Sequence, residues 1–165
     1  MENNSQLQVR LRKNQNTLVA IGWGVIAFGI WSVIKGVLGA ALNTENMTEL
    51  SRQGTPALAA FWVMLGIALL IDLLLRMYVG RSAIREGKGE KKRWGYIVFA
   101  LLMALTSTAL TAVSVYFVAR NGTESVVQLA ATMIVELTSV ITLLELVFSA
   151  VKVRRLSREL KEAEG

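Results

Sequence analysis

The chain has 165 residues, of which 53% are hydrophobic and 18% are charged, and its formal net charge is +6. It contains neither cysteine nor histidine, which excludes disulfide exchange, thiolate catalysis, haem ligation by histidine and the usual zinc sites. In a soluble protein the basic excess would favour a nucleic-acid partner. Here the charges flank long apolar runs, so we expect a membrane setting, no nucleic acid and no cofactor.

Four apolar runs dominate the chain, and each reaches the ~20 residues that a helix needs to cross a bilayer core. They leave too few residues for a separate soluble domain, which typically needs at least ~50. We therefore predict an all-α integral membrane protein, with four transmembrane helices arranged as two in–out–in hairpins. The runs cover residues 17–42, 56–78, 94–119 and 125–151.

The distribution of basic residues predicts the orientation. Lysines and arginines cluster in segment 1–16, between the second and third runs, and in segment 152–165. Because these residues favour the cytoplasmic side of short loops, both termini are predicted in the cytoplasm. Segment 152–165 is predicted to be a basic helical tail. The compact chain without cysteine favours a bacterial inner (plasma) membrane, and its basic clusters favour contact with anionic lipid headgroups.

The first run carries a stripe of small residues. Gly22, Gly29 and Gly36 recur every seven residues, and small side chains allow helices to approach closely in lipid. Packing within the monomer is the favoured interpretation, with a self-association face as the alternative. Lys35 lies ~27 Å along the helix from residue 17 and is expected to extend its ammonium group to the outer interface.

The second run contains a predicted ion pair, because Asp72 and Arg76 stand at i, i+4. After a shift of 73 residues, Asp72 and the basic residues that follow it match Glu145 and the basic residues that follow the fourth run. This match predicts a parallel internal repeat, although any two runs that end in the cytoplasm acquire basic flanks. The link 80–92 is expected to begin as a helical extension and to break near Gly87 and Gly89.

Polar side chains form a stripe on each of the last two runs, at a spacing that places each set on one helix face. A short loop joins these runs, so they are antiparallel neighbours and their stripes are predicted to meet in a polar path. Hydroxyl groups also bond back to their own helix, which weakens the inference. The path residues are Ser107, Thr111 and Ser114 on the third run, and Thr132 and Ser139 beside Glu136 on the fourth.

Glu136 is the leading candidate for a functional residue. It lies ~16 Å into a ~30 Å apolar core and has no basic residue one turn away on its own helix. Burial without a partner favours its protonated form. The alternatives are a structural, hydrogen-bonded glutamate or one that another helix neutralises. Asp72 and Glu145 are placed nearer the cytoplasmic edge.

Three classes of function are compatible with these patterns. The first is an oligomeric channel or a proton- or cation-linked transporter, in which Glu136 binds the ion and Asp72 and Glu145 line the exit. A homo-oligomer is expected, since four helices enclose little space. The second is an accessory or scaffold subunit that binds a cytoplasmic protein partner through its basic face. An enzyme acting on lipid ranks last, because histidine and cysteine are absent, so no enzymatic activity is predicted.

Overall fold

A computed structural model of the chain describes residues 2–42, 48, 51–52, 54–90, 94–121 and 126–164. These residues form four long helices, each of them long and apolar enough to cross a membrane. The protein is therefore all-helical, and its composition and helix lengths indicate an integral membrane protein. The helices are α1 (Glu2–Leu42), α2 (Thr55–Gly87), α3 (Gly95–Asn121) and α4 (Val126–Glu164).

The four helices alternate in direction. Gly22 of α1 faces Ile84 of α2, and Gly36 faces Leu69, so residue numbers rise along one helix as they fall along the other. The contacts of α4, compared in the same way, show that α4 is antiparallel to α1 and parallel to α2. In consequence the start of α1, the end of α2, the start of α3 and the end of α4 lie together. We call this the basic end.

The glycine stripe of α1 packs against α2 within the monomer. A Cβ atom added at Gly22 would lie 2.8 Å from Ile84 Cγ1 and 2.9 Å from the carbonyl oxygen of Gly80. One added at Gly36 would lie 2.6 Å from Leu69 Cδ2. Real side chains do not fit at such distances, so the stripe is a seam between α1 and α2. Of the two interpretations of this stripe, packing within the monomer is the one that the structure bears out.

The helices extend beyond the apolar runs at the basic end. Segment 1–16 is helical from Glu2 onward and continuous with the first run, because its Leu11 packs against the core. At the other end of the chain, α4 continues to Glu164. The predicted break after the second run is confirmed: α2 ends at Gly87, and Gly89 adopts a left-handed conformation with φ of +86°.

In the part of the chain that the structure describes, the buried core lies in the half of the bundle next to the basic end. Among the described residues, the buried hydrophobic side chains fall at 18–25, 79–84, 96–104 and 143–153 of the four helices. Many large apolar side chains along the described helices face outward, and Met64 and Phe148 are each 72% exposed. An exterior of this kind suits contact with lipid. Because the bundle is tightly packed near the basic end, an internal cavity would lie nearer its middle.

Candidate functional site: a charged cavity in the bundle

An open cavity of about 310 Å³ lies between the four helices, next to the dry core. Charged side chains from three helices line it, while α3 contributes hydroxyl groups and apolar side chains. All of these positions lie within the helices and not at their ends, and ionisable groups inside a membrane span are costly and usually mark functional pathways. The polar lining residues are Ser32, Lys35, Asp72, Arg76, Ser107, Thr111 and Glu136.

Glu136 forms an ion pair with Lys35. The Lys35 Nζ atom lies 2.6 Å from Glu136 Oε1, and the two side chains are 36% and 29% exposed. The expectation that Lys35 reaches the outer interface was therefore wrong. Its flexible stem turns toward Glu136 instead, because pairing offsets part of the cost of holding two charges inside the bundle. Neutralisation by another helix, one of the alternatives for Glu136, is the arrangement present here.

Arg76 connects the second ion pair to α4. Its Nε atom donates to both carboxylate oxygens of Asp72, at 3.0 and 3.2 Å, and its Nη1 atom donates to Ser139 Oγ at 2.9 Å. The guanidinium is buried, whereas Asp72 is 32% exposed. Gly29 makes room for the arginine stem, since a Cβ there would lie 3.1 Å from Arg76 Cβ and Cδ. Arg76 thereby fixes the position of the Asp72 carboxylate at the cavity wall.

Among the residues that the structure describes, four ionisable side chains line the cavity, and their formal charges sum to zero. Lys35 and Arg76 supply two cations, and Asp72 and Glu136 supply two anions. Each carboxylate is held by one cation, as the low dielectric of a membrane interior requires. Three of the four side chains nevertheless remain about one-third exposed. The cavity therefore presents both signs of charge to whatever occupies it.

The predicted polar path is present in part. Ser107 and Thr111 line the cavity, although the Thr111 hydroxyl donates to the Ser107 carbonyl oxygen at 2.8 Å. Glu145 is exposed and is not among the described residues that line the cavity. The side chains of Ser114 and Thr132 lie outside the described part of the chain. Apolar contact with the cavity comes from Leu110, Val115 and Met133.

A second charged cluster closes the basic end. Glu86 accepts hydrogen bonds from Arg154 Nε at 2.5 Å and from Arg154 Nη2 at 2.6 Å, and the two side chains are 1% and 5% exposed. The guanidinium lies 4.5 Å from the centre of the Trp94 ring and 5.9 Å from that of Tyr96. This cluster joins α2 and α4, and it brings α3 against both.

Sequence reasoning did not single out Glu86 or Arg154. It counted Arg154 among the basic residues after the fourth run and placed Glu86 in the helical extension at the start of the link 80–92. A usable signal lies in α2, where Gly80 and Gly87 stand seven residues apart. A Cβ at Gly87 would lie 2.8 Å from the carbonyl oxygen of Gln15. The glycine seam therefore continues past the apolar run and buries the adjacent glutamate.

Comparison with known proteins identifies no relative with this arrangement of charged side chains. The chain matches no protein-family model, and no curated protein or solved structure is significantly similar to it. Within the described residues, no group of three or more acidic side chains is placed to hold a metal ion. The cavity and its charged lining are therefore the basis for a functional hypothesis.

Proposed function

We propose that the protein is a small membrane transporter that binds its substrate in the charged cavity and is linked to a proton or cation through Glu136. The observation that carries the proposal is the Lys35–Glu136 pair, which lies inside the bundle yet borders a cavity. Paired ionisable groups at such a depth, close to open space, are typical of ion and substrate pathways. Substrate sites of transporters also lie near the bilayer midplane, between helices.

The pairing supplies a physical basis for coupling. Lys35 reaches one oxygen of the Glu136 carboxylate at 2.6 Å. A proton or a cation that binds this carboxylate neutralises it and thereby competes with the lysine ammonium. Loading Glu136 therefore frees Lys35 toward the cavity, while an empty Glu136 recaptures it. Such competition links ion binding to the state of the cavity, and the linkage is reciprocal.

The fold supports a carrier better than an open channel. A dry core lies between the cavity and the basic end, and the Glu86–Arg154 pair lies in the same half. With the basic end in the cytoplasm, as the charge distribution predicts, the cavity belongs to a state that is closed toward the cytoplasm. We propose that a homo-oligomer completes the outer wall, because α3 packs mainly on α4 and touches α2 only lightly.

A second candidate function is an accessory subunit that binds a cytoplasmic protein partner. It is favoured by a separate cavity of about 390 Å³ at the basic end, where Trp94, Arg155 and Arg158 contribute to the lining. Arginine and tryptophan are common anchors in protein interfaces. In this case the mid-bundle ion pairs would serve only to fix the register of the helices.

Flux measurements in proteoliposomes separate the two candidates. Transport predicts that wild-type protein moves protons or alkali cations along an imposed gradient, and that Glu136→Gln lowers the rate about 100-fold, as loss of a proton-transfer group typically does. The matched control is Glu90→Gln, the same change at an exposed carboxylate outside the cavity. Circular dichroism and gel filtration verify that each variant folds.

Two outcomes would count against transport. Wild-type vesicles could show no flux under proton, sodium or potassium gradients, or Glu90→Gln could reduce flux as strongly as Glu136→Gln. Either result favours the accessory role. The next step would then be to compare partner capture by wild-type protein and by an Arg155→Gln, Arg158→Gln double variant.

A further inference from the structure

We infer that the charged cavity takes a small zwitterionic solute, which carries one ammonium and one carboxylate group. The inference rests on the proposed function, since it names the substrate class of the same site. Three independent properties of the cavity lead to it: its charge sum, the placement of the two signs of charge, and its volume.

The charge sum of the described lining favours an organic solute that carries no net charge. Lys35, Arg76, Asp72 and Glu136 together carry no net charge. Because the surroundings are of low dielectric, a solute with one uncompensated charge would lose its hydration and gain no net counter-charge. A zwitterion brings equal and opposite charges and keeps the cavity neutral. A neutral polyol needs only hydroxyl and amide partners and gives no reason for two costly ion pairs.

The placement of the charges matches the two ends of such a solute. The Lys35 ammonium has three donors, and the structure gives it one hydrogen bond, to Glu136. It is therefore available to a solute carboxylate. The carboxylates of Asp72 and Glu136 are about one-third exposed and offer acceptors to a solute ammonium. Arg76 is buried against Asp72 and Ser139, so it acts as a positioning residue.

The volume limits the size of the solute. A water molecule takes up about 30 Å³ in the liquid, so a cavity of about 310 Å³ holds about ten waters or one solute of similar size. Leu110, Val115 and Met133 give part of the lining an apolar surface. This combination fits a small aliphatic amino acid.

Matched sets of probes test the ligand class on the purified full-length protein in detergent. One set is alanine, its methyl ester and propionate, and another is leucine, its methyl ester and 4-methylpentanoate. The zwitterion, the cation and the anion of each set share one carbon skeleton. We expect a zwitterion at millimolar concentration to raise the midpoint of thermal unfolding by about 2–4 °C, and its ester and acid to leave the midpoint unchanged.

Single charge changes should move the preference in opposite directions. Lys35→Met leaves the cavity with a net charge of −1, so the methyl ester should become the best stabiliser of its set. Glu136→Gln leaves a net charge of +1, so the carboxylic acid should become the best. Glu90→Gln, which lies outside the cavity, should keep the preference for the zwitterion.

Two outcomes of the thermal-unfolding measurement would contradict the inference. It fails if the ester or the acid stabilises the wild-type protein as well as the zwitterion does, or if no member of any set shifts the midpoint. The wild-type comparison suffices even if a charge variant does not fold. Flux that Glu136→Gln abolishes, without binding of a zwitterion, would retain the proposed function and refute this ligand class. Binding without flux would retain the class and refute transport.

Discussion

Two ion pairs of the protein, Glu86–Arg154 and Lys35–Glu136, differ in their surroundings. At the basic end, Glu86 and Arg154 are 1% and 5% exposed, and aromatic rings fill the space around them. In the middle of the bundle, Lys35 and Glu136 are 36% and 29% exposed and border a cavity. Ion pairs of the same chemistry thus have different roles in the two places. A closed pair holds helices together, while a pair beside open space can exchange partners.

The largest effect should follow from breaking the closed pair. Glu86→Gln removes the carboxylate that accepts two hydrogen bonds from the buried Arg154 guanidinium, and breaking such a buried pair typically costs about 3–5 kcal/mol of unfolding free energy. Thermal or denaturant unfolding in detergent measures the loss. A double variant, Glu86→Leu with Arg154→Leu, should recover most of it, because replacing both partners removes the buried charge altogether. A loss below about 1 kcal/mol for Glu86→Gln would show that this pair is not closed in the membrane.

The next effect comes from two glycines: Gly87, which is adjacent to Glu86, and Gly29, which packs against Arg76 at the mid-bundle cavity. A Cβ at Gly87 would meet the carbonyl oxygen of Gln15 at 2.8 Å, whereas one at Gly29 would meet the Arg76 stem at 3.1 Å. Gly87→Ala should therefore destabilise the protein by about 1–3 kcal/mol, since backbone cannot yield easily. Gly29→Ala should cost less stability and mainly reduce flux by displacing Arg76. Gly66→Ala is the control, because nothing lies within 4 Å of its added Cβ.

A reversed order of these two glycine variants would contradict the comparison. If Gly29→Ala cost more unfolding free energy than Gly87→Ala, the mid-bundle network would be the more rigid of the two. Unfolding midpoints for the three alanine variants, measured in one detergent, decide the order.

Breaking the open pair should have a smaller effect on stability. In Lys35→Met, Glu136 loses its partner but keeps contact with the cavity. Because both side chains are about one-third exposed, the expected loss is near the ~1 kcal/mol seen for solvent-accessible pairs. Flux should fall far more than stability does, and the ratio of the two losses is the quantity to compare with Glu86→Gln. Equal ratios for the two variants would remove the distinction between the pairs.

The smallest effect is expected at Glu145. Its side chain is exposed and does not line the cavity, so Glu145→Gln should change the unfolding free energy by less than about 0.5 kcal/mol. The sequence pattern predicts that Glu145 lines an exit path. A flux assay tests that prediction directly: a clear loss of transport in Glu145→Gln would support it, and unchanged flux would remove Glu145 from the path.

Helical periodicity anticipated the helices and part of the site. Four apolar runs predicted four helices, and Gly22 and Gly36 predicted a close seam whose partner helix only the structure identifies. The place of Lys35 was missed because a depth along one helix does not say where a long flexible side chain goes. Glu86 was missed because burial beyond the apolar run depends on Gly87 packing against α1. Both errors concern contacts between helices, which spacing within one helix cannot specify.

The glycine seam has a mechanical consequence. It ties α1 and α2 into one stiff unit. An added Cβ at Gly22 or Gly87 would meet the backbone of the other helix, whereas one at Gly29 or Gly36 would meet a side chain. The links from this unit to α4 at cavity depth are of another kind: Lys35 to Glu136, and Arg76 to Ser139. Polar links of this sort can break and re-form as partners change. If the helices move relative to one another, we expect the movement to occur along this polar boundary. The pair α3 and α4 would then rotate as one rigid body against the rigid pair α1 and α2.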